Sequence, residues 1–150
     1  MADPAPAPGD DRPERLLVAA RLAASEGEQA RYVFVRWEDW PYPAMLSLAP
    51  PGSNETLSEA VASLLRRLNL RTAEPRVAEE RVPVRMAHPR FGGEGLGWLR
   101  PLAVTVEGEP EPDAMLAGVE MLPYEQALEA LPTDVERTVL RAAATLFAQK

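Results

Sequence analysis

Residues 51–70 read PGSNETLSEAVASLLRRLNL, and the rest of the chain is best read outward from them. Thr56 stands three residues before Glu59. That is the spacing of a capping box, in which a Thr hydroxyl and a Glu side chain each accept from the other's backbone amide. Leu57, Val61, Leu64, Leu65 and Leu68 then recur at helical spacing on one face. Asn69 tolerates the left-handed conformation that ends many helices. The stretch therefore predicts a loop over 49–54 and an amphipathic helix after Thr56.

Upstream, Arg31 to Trp37 (RYVFVRW) is β-branched and aromatic, and reads as a strand. Residues 15–24 (RLLVAARLAA) are rich in Ala, which favours helix. The short link Ser25-Glu26-Gly27-Glu28 favours a hairpin, so this run is also read as a strand. Trp40-Pro41-Tyr42-Pro43 forms a rigid loop, because proline fixes φ and removes a donor. Met45 to Leu48 is a short strand.

Downstream, Arg81 to Met86 and Trp98 to Val106 are strand-like, and Gly92, Gly93, Gly95 and Gly97 separate them. Residues 107–113 are acidic and Pro-rich, a loop. Gly118 to Pro123 is a short strand, and Tyr124 to Leu131 a short helix. Thr133 and Glu136 form a second capping box. It opens a final helix with Val135, Val139, Leu140, Ala143 and Phe147 inward. Strands and helices do not alternate as βαβ units. A mixed or antiparallel sheet with helices on its faces is expected, in one α/β domain over 14–150.

Composition agrees with a single domain. The chain has 150 residues, 46% hydrophobic and 26% charged, which suffices for a real core. Residues 1–13 lack apolar periodicity and read as a mobile tail. With no cysteine, disulfides, cysteine-ligated zinc and a Cys nucleophile are excluded. No apolar run reaches membrane-spanning length, and the N-terminus lacks a signal-peptide pattern. A cytoplasmic protein is the expectation. The net charge of −7 argues against nucleic acid as a partner. The charge is uneven, with eight Arg against four Glu from Ala60 to Arg100.

With the elements placed, a family resemblance appears. Residues 51–60 (PGSNETLSEA) look like the start of a Nudix box, the signature G-x5-E-x7-R-E-U-x-E-E-x-G-U of the Nudix hydrolases. Arg31 to Leu48 resembles the strand, loop and short strand that lead into the box. Gly118 to Pro123 resembles the family's Trp-Leu-Pro segment, with Met121 in place of Trp, and the two last helices also match. The resemblance spans roughly residues 15–148 and implies a Nudix-like α/β/α sandwich with a mixed sheet.

In that family, Glu side chains of the box helix bind the magnesium that activates water and neutralises a diphosphate. Counting without a gap from Glu55, the box Arg falls on Ser63 and the first metal Glu on Leu64. The last Glu pair falls on Arg67 and Leu68. A one-residue gap restores no Glu, and Gly52 is three positions from Glu55 rather than six. Magnesium takes oxygen ligands, usually carboxylates, and is repelled by guanidinium. The box is therefore degenerate, and no resident metal or cofactor is expected.

Three functions follow. The first is a non-catalytic module that binds a nucleotide-like small molecule or a protein partner. Its candidate ligand-binding residues are Trp37, Trp40, Tyr42, Arg66 and Arg67. The aromatic rings either stack a base or simply pack: Trp37 into the strand's buried face, Trp40 under the prolines. The second is a divergent Nudix hydrolase acting on a nucleoside diphosphate derivative, with Glu55 and Glu94 as its acids and magnesium as its cofactor. The third is a structural module that forms a homodimer through a helix. Glu79 and Glu80, read as strand residues, would face opposite ways and make a poor metal site. His88 has no partner imidazole, and Trp98 is read as core.

Overall fold

Strand β1 (Glu14–Leu22) is buried without interruption from Leu16 to Ala20. Successive strand residues face opposite ways, so an unbroken buried run needs cover on both faces. Leu16, Val18 and Ala20 join one apolar cluster, with Val61 and Leu65 of helix α1 (Leu57–Arg66). Leu17 and Ala19 join another, with Ala127 of α2 (Tyr124–Ala130) and Val139, Leu140 and Ala143 of α3 (Asp134–Ala148). The result is a three-layer α/β/α sandwich. The computed structural model describes residues 14–23, 29–52, 54–86, 95–113 and 116–148. The expected tail over 1–13, the turn at 25–28, His88 and Glu94 lie outside the described residues.

The sheet is mixed. Strand β7 (Gly95–Glu107) runs parallel to β1, from Glu14 opposite Trp98 to Leu22 opposite Val106. On the other edge of β1, two strands share the space. Strand β2 (Arg31–Arg36) pairs antiparallel at Ala20–Val33, and β3 (Leu46–Leu48) at Leu16–Leu48. Strand β8 (Gly118–Pro123) adds to β2. The outer edge of β7 takes β4 (Arg71–Thr72), β5 (Arg76–Val77) and β6 (Val82–Met86) in turn. Pro101 falls between the β5 and β6 pairings, where its missing N–H costs no ladder bond. Beside it, Arg100 donates to the Ala78 and Glu79 carbonyls and pairs with Glu14 at 3.0 Å.

Helix α1 begins as its sequence predicts. The Glu59 amide donates to Thr56 Oγ1 at 3.1 Å, and the Thr56 amide donates to Glu59 Oε1 at 2.9 Å. It ends at Asn69, whose φ is 67°. The Leu70 amide reaches the Leu65 carbonyl and the Asn69 amide the Arg66 carbonyl, a Schellman pattern. Gly108 faces this terminus with φ of 126°, and a Cβ there would lie 2.8 Å from the Asn69 carbonyl oxygen.

The structure departs from expectation in three places. Strands β4 and β5 have two residues each, too short to leave a period in the sequence. Glu79 and Glu80 lie exposed in the link between β5 and β6, so the alternation argument does not apply to them. Trp98 is half-buried rather than core, and the Arg81 guanidinium sits 4.5 Å from its ring centroid.

Candidate functional site

A cavity of about 200 Å³ lies where β1, β3 and the C-terminal half of α1 meet the connection from β7 to β8. Val35, Met45, Leu46, Leu64, Leu68 and Leu116 supply apolar wall. Met45 belongs to the α2/α3 cluster and Leu46 to the α1 cluster, so the cavity touches both layers. Trp37 adds an aromatic surface, and Arg15, Ser47, Arg67 and Asp113 are the polar contributors.

Arg15 comes from the head of β1. The pairing of Leu17 with Ser47 brings the Ser47 hydroxyl close to it, and Arg15 Nη2 donates to Ser47 Oγ at 2.8 Å. Arg15 Nε is buried without a hydrogen-bond partner. An unsatisfied buried donor costs about 1–3 kcal/mol, and more when charged. Desolvation by burial lowers the Arg15 pKa, yet a guanidinium keeps its proton at any physiological pH. Among the described residues no carboxylate ion-pairs with Arg15.

Arg67 behaves differently. Its Nη2 lies 2.7 Å from Asp113 Oδ2, with the two side chains 58% and 20% exposed. The pair bridges the end of α1 to the opposite rim. Two bonds hold the preceding residues to the end of α1: the Glu111 amide donates to the Leu68 carbonyl, and the Asn69 side-chain Nδ2 to the Glu109 carbonyl. The Leu116 amide in turn donates to the Asp113 carbonyl. An exposed ion pair of this kind contributes about 0–1 kcal/mol to stability, so it shapes the rim more than it holds the fold.

Of the residues proposed from sequence, Trp37 and Arg67 line this cavity. Trp40 packs on the α1-side cluster and meets Tyr42 edge-on at 5.7 Å, while Tyr42 is exposed; neither is among the lining residues. Arg66 and Glu55 lie in an open groove on another side of α1, with Ser58, Glu59 and Ser63. That groove shares no residue with the cavity. Sequence reading missed Arg15, Ser47 and Asp113. Arg15 left one signal, a cation at the head of the run LLVAA that needs cover on both faces. Ser47 and Asp113 left none, because register and loop path place them.

The donor set decides what the cavity can hold. Magnesium asks for several oxygen ligands in octahedral array. Among the described lining residues the one carboxylate is Asp113, already paired with Arg67. No cluster of three or more His, Asp or Glu occurs among the described residues. This set does not fit a magnesium site. Two guanidiniums against one carboxylate suit an anion instead.

No family model and no curated protein matches this sequence. Solved structures do match. A Listeria monocytogenes protein assigned to the Nudix hydrolases superposes with a TM-score of 0.65 at 15% identity, over 91% of this chain and 96% of its own. A C. elegans Ap4A hydrolase in binary complex superposes with 0.63 at 6% identity, over 91% and 98%. A Nudix-family hydrolase from Clostridium perfringens gives 0.60 at 10% identity, over 91% and 99%. The fold is therefore Nudix-like, as the sequence resemblance implied. The gapless count from Glu55 put the family's metal-binding positions at Leu64, Arg67 and Leu68, and all three line the cavity. Leu65 between them is fully buried.

Proposed function

We propose that this chain is a non-catalytic Nudix-fold binding module that holds a small anionic molecule in the α1 cleft. One observation carries the reading: the cleft wall has Leu64, Arg67 and Leu68 where the family resemblance calls for metal-binding glutamates. Two of these side chains have no ligand atom, and the third is a cation that repels magnesium. Without the metal, neither water activation nor diphosphate neutralisation has a source in the cleft. What remains is shape, apolar surface and guanidinium charge, which serve binding. Isothermal calorimetry with magnesium and manganese, in the presence of pooled nucleoside diphosphate compounds and with product detection, tests this. The expected result is no metal binding and no turnover. Turnover that stops on chelation would overturn it.

The names of the structural neighbours favour a second reading, a divergent hydrolase, since those proteins are described as hydrolases. It would draw acids from outside the box helix, Glu55 and Glu94 among them. Glu55 lines the outer groove and not the cleft. Under this reading Glu94→Gln abolishes turnover.

A further inference from the structure

The loop between β2 and β3 presents a second surface, outside the cleft. We infer that its aromatic pair, Trp40 and Tyr42, is a docking surface for a polyproline-type segment, and that the occupant is this chain's own residues 4–8, Pro4-Ala5-Pro6-Ala7-Pro8. The inference goes beyond the binding-module reading and does not depend on it.

The surface is preformed. Val35 and Ala44 exchange backbone bonds of 2.9 and 3.0 Å and close the loop at its base. Inside the loop the Trp40 amide donates to the Trp37 carbonyl, and Arg36 Nη1 donates to the Pro41 carbonyl at 3.0 Å. Trp40 rests on the α1-side cluster, and the Tyr42 ring meets it at 5.7 Å and 67°. Tyr42 is 44% exposed, one of two exposed large hydrophobics among the described residues. Two rings inclined in this way leave a notch between them, and aromatic-lined grooves take proline-rich extended peptides.

Reach and chemistry select the occupant. Arg15 and Trp37 line one cavity, so the head of β1 lies beside the start of the loop. From Glu14 back to Pro8 the chain has six Cα steps, which span up to about 20 Å. That exceeds the breadth of a cavity of about 200 Å³, with length left to pass from Trp37 to Trp40. Proline fixes its own φ and holds the residue before it to extended backbone. Every residue from Asp3 to Pro8 either is a proline or precedes one. The covalent chain therefore favours the polyproline conformation, and docking loses little conformational entropy. Three residues make one turn of that helix, so Pro4 and Ala7 share one face and Ala5 and Pro8 another, and both faces are apolar. The prolines lack N–H groups, so the segment makes a poor added strand at a sheet edge and suits a side-chain groove. Residues 4–8 carry no charge, so the exposed Glu38 and Asp39 beside the rings do not repel them.

The test uses the 150-residue chain with isotope-labelled proline. Nuclear Overhauser spectra filtered for protons on labelled proline should show cross-peaks to the Trp40 indole, assigned with Trp40→Phe. Pro41 and Pro43 neighbour that ring in sequence and give peaks of their own. A triple variant carrying Pro4→Ser, Pro6→Ser and Pro8→Ser should lose the tail's cross-peaks, keep those of Pro41 and Pro43, and melt as wild type does. Tyr42→Ala removes one wall of the notch at an exposed position and should produce the same loss in a folded protein. An unchanged set of cross-peaks in the triple variant would overturn the inference. So would a Tyr42→Ala protein that keeps the tail's peaks. Cross-peaks that arise only between labelled and unlabelled molecules in a mixed sample would overturn it too, since the occupant would then be the tail of a second copy.

Discussion

Helix α1 has two sides with opposite chemistry. The side turned to the cleft presents Leu64, with Arg67 and Leu68 just past the last turn, two apolar groups and a cation. The outer side presents Ser58, Glu59, Ser63 and Arg66 in an open groove, with Glu55 just before the cap. The helix's carboxylate is therefore on the side away from the cleft, and Glu59 is used in the cap. The difference shows which parts of a Nudix-like helix the fold needs. The cap, the buried Leu65 and the Schellman end keep the helix on the sheet. Metal-binding glutamates are not needed for that, so fold and site chemistry separate here.

That comparison can be broken by substitution. The largest effect is expected at Leu65, fully buried between α1 and the sheet: Leu65→Ala should lower unfolding free energy by about 2–5 kcal/mol in urea titration. Leu64, its half-buried neighbour on the cleft wall, should lose only about 1 kcal/mol as Leu64→Ala. Equal losses would mean that the cleft wall is part of the core and that the two sides are not distinct. Thr56→Ala removes the hydroxyl from the capping box and should cost about 1 kcal/mol by the same titration. Arg66→Ala, on the outer side, should change stability by less than about 0.5 kcal/mol in the same titration. A loss as large as that of Leu64→Ala would mean that the outer side also holds the helix.

Much of the fold was readable from local chemistry. The box at Thr56 and Glu59 acts within one turn, so residue spacing alone predicts it; at Thr133 and Glu136 the bond from the Glu136 amide to the Thr133 hydroxyl follows the same spacing, and the hydroxyl donates to the Glu136 carboxylate. The β1–β2 hairpin was readable from two strand-like runs joined by a short link. What escaped was set by distant partners. Strands β4 and β5 exist because the long edge of β7 offers bonding groups to whatever chain passes it. Trp98 looked like core from its apolar neighbours, yet Arg81 covers it instead.

The site divides in the same way. Trp37 and Arg67 were named from their types and their place near the box, and both line the cleft. Arg66, named with equal reason, sits elsewhere, because one residue on a helix is a turn of about 100°. Helical and strand periods, capping boxes and the absence of glutamate after residue 59 in α1 are covalent facts of the chain, and the periods and caps fix most of the elements. Bringing Arg15, Ser47 and Asp113 to one cavity needed the β1–β3 register and the bonds that tie residues 109–111 to the end of α1. Those contacts span tens of residues, so only the folded chain decides them.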